Sequence, residues 1–295
     1  MARSSAKSEK FIEVLMVMCS LISVLTTVGI ILVLSIDTVK FFAEVSFLDF
    51  ITDTEWTPLF ADKHFGILPL LSGTVLTTLI ASLIAVPVGV SIAVYLNEYA
   101  SRKFTAAVKP ILEILAAVPT VVYGFFALQF VTPLLQTFIP NLAGFNALSP
   151  GIVMGIMIIP YITSLSEDAL RAVPGSLREA SYGLGANKLQ TAFRVMVPAA
   201  SSGIIVSIIL AISRALGETM IVAIAAGQQP NLTLNPLESV ETITTYIVQV
   251  SMGDVPQDSL EYRTIFAAGI TLFAFTFILN NVSFWIQKKY QNRYD

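Results

Sequence analysis

Arg214 and Glu218 stand four residues apart inside an apolar run, in the segment Ser213-Arg-Ala-Leu-Gly-Glu-Thr219. An arginine in hydrocarbon costs at least about 2.5–3.5 kcal/mol on insertion scales, so something must offset it. On a continuous helix Glu218 would share a face with Arg214 and pair with it. The basic residue precedes the acidic one, which is the weaker order for stabilising a helix. Local stability therefore explains the pair poorly. Two readings stand. In one, Arg214 presents its guanidinium fork to an anion in transit while Glu218 holds or releases it. In the other, the two form a buried structural salt bridge between helices. At ~1.5 Å per residue from the inner surface, Arg214 lies roughly 20 Å deep.

The second chemically informative segment is polar, from Ser176 to Pro198. Ser176 followed by Glu179 predicts a capping box, in which each side chain satisfies a free amide at a helix start. Gly183 and Gly185 break that helix. Asn187 with Gln190 predicts a second start of the same form, and Leu189, Ala192, Phe193 and Val197 give it an apolar stripe. Pro198 closes the unit. The expectation is helix, glycine turn, helix, either docking a partner or serving as an ordinary capped connection.

Other chemistry is excluded by composition. Cys19 is the only cysteine, so no intrachain disulfide or cysteine metal cluster is available. His64 is the only histidine and is read as a loop residue, not a zinc ligand. No Gly-Lys dipeptide occurs, so a Walker A phosphate loop is absent. Glu167-Asp168, with no metal motif around it, is read as the solvated end of a span. No catalytic residue, metal or cofactor is expected.

The elements that position these groups follow from the solvent. Hydrophobic residues make up 55% of the chain and charged residues only 13%, about half the charge of a soluble domain. Mean hydropathy is +0.77. Six apolar runs can span about 30 Å of hydrocarbon: Phe11–Ile36, Gly66–Leu96, Ile111–Leu135, Pro150–Leu165, Ala199–Ala226 and Thr264–Ile286. The first exceeds a signal-peptide core and lacks a small-x-small cleavage site, so an uncleaved anchor is expected. With the N-terminus inside, thirteen lysines and arginines fall on the cytoplasmic side and only Lys40, Lys63 and Arg263 outside. Both termini therefore face the cytoplasm. Residues 1–65 form the tail, first span and outer loop; residues 66–290 form the core, including the loop 171–198.

In the fifth run Ala199, Gly203, Ser207, Ala211, Ala215, Thr219 and Ala223 recur at spacing four, a ridge that lets helices approach closely. Gly151 and Gly155 in the fourth run are read the same way. Pro87, Pro119 and Pro160 sit inside spans and free backbone carbonyls, for kinks or for a pathway.

The Ser176–Pro198 segment resembles the signature loop of permease subunits in ATP-driven importers: Glu-Ala-Ala, three residues, Gly, nine residues, then Ile-x-Leu-Pro. Glu179, Ala180, Gly185 and Pro198 match; Ser181, Val195 and Val197 depart conservatively. Phe65-Gly-Ile-Leu-Pro69, Val118-Pro-Thr-Val-Val-Tyr-Gly124, Ser213–Thr219 and Glu261-Tyr-Arg-Thr-Ile-Phe-Ala-Ala268 resemble bacterial phosphate importer permeases, the C-type more than the A-type. The resemblance implies an all-α, six-span MetI-like permease fold with a cytoplasmic coupling helix. It implies docking of an ATPase through Glu179, Ala180 and Gly185, and phosphate passage at Arg214 and Glu218. Implied partners are a second, non-identical permease, two ATPase subunits, a periplasmic or extracellular phosphate-binding protein and membrane lipid; no nucleic acid is expected. A permease for another oxyanion such as sulfate or molybdate remains an alternative. An ATP-independent carrier would explain Arg214 but not the docking loop, and no internal repeat supports it. A membrane enzyme lacks a cluster of catalytic groups.

Overall fold

The computed structural model describes residues 2–291. Among them every regular element is helical, with isolated bridges only at Trp56–Phe65 and Gly227–Val240. Arg293 lies outside the described residues, as do the side chains of Arg3, Lys7 and Lys289. Four helices are each long and apolar enough to cross a membrane: Glu9–Glu44 of the first (Ala2–Glu44), Leu68–Glu98, Leu148–Ala172 and Leu260–Ile286 of the last (Leu260–Gln291). Two bent pairs complete six spans. Arg102–Ala117 meets Thr120–Gln136 at 86°, and Lys188–Ala199 meets Ser201–Leu216 at 71°.

The sequence expectation of six spans is met, with three corrections. The fourth span is longer than expected, because its polar end from Ser166 to Ala172 stays helical, with Ser166, Glu167 and Leu170 buried. The third span is not one rod. Val118 precedes Pro119 and adopts ψ 130°, as a residue before proline must when the α region is sterically closed. Tyr123 Oη donates to the Leu115 carbonyl at 2.7 Å across this corner, satisfying an acceptor that the helix end leaves free. The fifth span stops at Leu216 with Gly217 as its C-cap, and a separate helix, Met220–Ala225, follows. Pro87 and Pro160, by contrast, lie within helices that run through them unbroken.

Small residues hold the bundle together, as expected where lipid removes the hydrophobic drive between helices. A β-carbon on Gly203 would meet Ala169 of the fourth span at 2.5 Å, so the fourth and fifth spans touch nearly backbone to backbone. Ser166 and Ser207, both buried, share a 2.7 Å hydrogen bond at the same seam. The ridge on the fifth span thus packs within this chain, with Ala211 and Ala215 buried in the central core beside Met154, Met157 and Ile158. Gly151 and Gly155 serve a different seam, facing Ile80, Ala81 and Ile84 of the second span. A second core seals the opposite end, where Phe41, Phe50, Trp56 and Tyr246 pack edge to face.

Candidate functional site

Arg214 and Glu218 do not form the pair that their spacing suggests. Among the described residues no ion pair joins them. The helix ends between them, at Leu216, so the chain turns at Gly217 and sends the two side chains different ways. Arg214 is exposed on the chain surface, its guanidinium carbon 4.6 Å from the centre of the Tyr161 ring. The ring's negative face balances part of the cation without neutralising it. Glu218 is buried, with Oε1 3.5 Å from the Ile221 amide at the start of Met220–Ala225. Glu218 there lies beside the amides that the start of this short helix leaves free. Its carbonyl accepts a 2.9 Å hydrogen bond from Thr244 Oγ1.

The polar segment folds as a helix, a glycine turn and a second helix. Its first helix, Gly175–Gly183, starts from Pro174, whose ring fixes φ and whose ψ of 132° lets the next residue turn into the helix. Ser176 therefore lies inside the helix, and the capping box with Glu179 does not form. Glu179 is exposed, as are Ala180 and Gly185. Gly185 has φ +83°, a left-handed turn that a β-carbon disfavours. The second start is as expected: the Asn187 side chain accepts from the Gln190 amide at 2.9 Å and the Gln190 side chain accepts from the Asn187 amide at 3.0 Å. The apolar stripe is split. A π-helical turn at Ala192–Met196 rotates the register, burying Thr191, Ala192 and Met196 while Leu189 and Phe193 face outward. Leu184, at the elbow, is 90% exposed.

One contact ties this hairpin to the second span and another locks it internally, and neither was visible in the sequence pattern. Arg178 Nη2 donates to Glu98 Oε1 at 2.6 Å, where the second span ends; the Glu98 side chain is 2% exposed. The Ser181 and Thr191 hydroxyls, both buried, lie 2.9 Å apart and lock the two hairpin helices. The hairpin is thus a rigid projection, not a slack connection.

Glu167 is a further correction. It is buried, not a solvated end, and it binds Lys109 at 2.5 Å and Arg171 in an ion pair. Arg171 lies one turn on and was legible as an i,i+4 partner. Lys109 comes from the third span and was not. The segments between spans one and two and after span five hold two more groups of note. His64 Nδ1 sits 2.8 Å from Asp53 Oδ2; that hydrogen bond raises the histidine above its ordinary value. Glu241 is 2% exposed, and burial pushes its carboxyl up to about 8.

Comparison with known proteins agrees with this architecture. Residues 85–294 match the family described as binding-protein-dependent transport system inner membrane component. A probable ABC transporter permease protein, YqgH of Bacillus subtilis, is 34% identical over 262 residues, spanning 88% of this chain and 84% of the relative. The phosphate transport system permease protein PstC of Mesorhizobium japonicum is 34% identical over 252 residues, spanning 78% and 75%. Among solved structures, a bacterial ABC transporter involved in alginate import matches with TM-score 0.56 at 16% identity, over 90% of this chain and 96% of that one. The MetNI methionine ABC transporter matches with TM-score 0.53 at 18% identity, over 75% and 94%. With the bundle, the broken fifth span and the projecting hairpin in place, the chain belongs to the binding-protein-dependent transport system inner membrane component family and has its membrane permease fold.

Proposed function

We propose that this chain is the permease subunit of an ATP-driven importer that moves inorganic phosphate across the bacterial cytoplasmic membrane. The observation that carries the reading is Arg214: a cation at the end of a span, resting on a ring instead of a carboxylate, and open on the chain surface. An anion is its natural partner. Phosphate is favoured over other oxyanions because several relatives with 30–34% identity are named phosphate transport permeases.

The parts divide as follows. Arg214 meets the anion where this surface faces a second, non-identical permease, and Glu218 shapes the bend that presents it. The chain has no phosphate loop of its own. Two separate ATPase subunits hydrolyse ATP and grip the hairpin at Glu179, Ala180 and Gly185, beside the outward-facing Leu184, Leu189 and Phe193. Both termini and the hairpin lie in the cytoplasm. A phosphate-binding protein delivers the anion to the outer loops. Closure of the ATPases moves the hairpins, and the Arg178–Glu98 contact carries that motion to the second span. The region 66–290 then rocks between outward- and inward-open forms.

Uptake of radiolabelled phosphate into vesicles carrying the full complex, with sulfate and molybdate as competitors, tests the substrate. Arg214→Gln should abolish uptake while the complex still assembles. Normal uptake by that variant would refute the gate. Glu179→Lys should weaken ATPase association or leave hydrolysis uncoupled from transport. If sulfate or molybdate competes on equal terms, a general oxyanion permease becomes the better reading.

A further inference from the structure

A cavity of about 530 Å³ opens between the end of the second span, the first limb of the third and the end of the fourth. Its charged lining is Arg102, Lys109, Arg171 and Glu167, so two positive charges are left over. Lys109 and Arg171 share the buried Glu167, while Arg102 forms no ion pair among the described residues. Arg102 also opens the helix Arg102–Ala117, whose first turn holds no acid. A cation there opposes the positive helix end and is destabilising unless an anion sits nearby. The same helix end offers free amides to such an anion.

Three cations face one space, and its single carboxylate already serves two of them. The neighbouring cavity, about 410 Å³, is different in sign: it reaches Tyr161 but carries Glu113, Glu167 and Asp168 against Lys109. The Lys109–Glu167 pair borders both cavities and separates an acidic chamber from a basic one.

We propose that the basic cavity is a phosphate-group site at the hairpin end of the bundle, distinct from Arg214. Its occupant is either inorganic phosphate or the headgroup of an anionic phospholipid, which share the same tetrahedral oxyanion. Arg102 and Arg171 hold the group, and Lys109 stays with Glu167. The site stands whether or not the chain imports phosphate, because its argument uses no part of the transport pathway.

The test uses the assembled importer without nucleotide or binding protein, carrying Arg214→Gln so that the deep arginine contributes nothing. In nanodiscs of phosphatidylcholine alone, equilibrium dialysis with radiolabelled inorganic phosphate should show saturable binding. Adding Arg102→Gln, an exposed change that leaves the melting curve in place, should weaken it about tenfold, the loss of one charge-assisted hydrogen bond. If the occupant is lipid, phosphate binding will be slight. Native mass spectrometry in discs containing phosphatidylglycerol will then show a retained lipid that Arg102→Gln or Arg171→Gln releases. Either result supports the site and names its source. Equal binding of phosphate and of phosphatidylglycerol by parent and variants would overturn it. Failure of wild-type uptake, by contrast, would refute the transport reading alone.

Discussion

Above about pH 5.5, replacing Glu241 with glutamine should stabilise the protein, by an amount that grows with pH until about pH 8. Glu241 lies just before the helix Ile243–Met252, 2% exposed, with Oε1 buried and lacking a hydrogen-bond partner. Burial disfavours its charged form and pushes its carboxyl from 4.5 up to about 8. The folded state therefore holds this proton more tightly than the unfolded chain does. Below pH 4.5 both states are protonated, and the group is neutral to stability. As pH rises from about 4.5 to about 8, the unfolded chain ionises and the folded one does not, so stability falls by about 1.4 kcal/mol per pH unit. At pH 7 the loss is on the order of 3 kcal/mol, and it levels off near 5 kcal/mol above pH 8. Glutamine cannot ionise and removes this slope. Its added N–H donors meet no ready acceptor, which offsets about 1 kcal/mol of the gain at every pH. Thermal melts of wild type and Glu241→Gln in detergent at half-unit steps from pH 5 to 9 read the difference. The gap between midpoints should open steadily up to pH 8 and then hold. A constant gap across that range would show that Glu241 is ionised in the fold, and the burial argument would fail.

Three further outcomes follow from single contacts. Tyr161→Leu removes the ring under Arg214, which contributes about 0.5–2 kcal/mol; uptake should fall severalfold with assembly intact, and an unchanged rate would detach the ring from the pathway. Glu98→Gln leaves Arg178 with a neutral partner at the root of the hairpin. The cost should be about 2 kcal/mol, below the 3–5 for a fully buried pair because the Arg178 side chain reaches solvent, and ATP hydrolysis should continue with less transport per ATP. Full coupling in that variant would remove the strut. Asn187→Ala deletes the side-chain half of the capping box, the acceptor for the Gln190 amide, and should cost ~1 kcal/mol. Hydrogen exchange at the amides of residues 188–191 should accelerate roughly fivefold, and protection equal to wild type would show that tertiary packing alone holds this turn.

Much of the architecture is local and so was legible. Long apolar runs must become spanning helices, since only a helix satisfies every backbone group inside one segment. The Asn187–Gln190 cap, the turn at Gly185 and the ridge on the fifth span each depend on residues within a turn or two. Val118-Pro119 carried the signal for the 86° break, because proline restricts the residue before it. It was read only as a kink, since how far a chain turns depends on what packs beside it.

The charged groups show where local reading ends. Spacing placed Arg214 and Glu218 on one face, on the assumption that the helix continues through Gly217. It stops there, and Arg214 meets Tyr161 from another span while Glu218 turns into the interior. Glu167 was judged by its neighbours in the chain, yet its burial and its Lys109 partner come from a helix some sixty residues away. Ser176 was a plausible cap until Pro174 took the position two residues earlier. The sequence by itself determined the solvent, the number of spans and the kinds of charge set among them, because those depend on composition and short-range periodicity. Only the tertiary structure decided which charges meet and which stay open, because an ion pair depends on distances of a few ångströms between segments that the chain order leaves free.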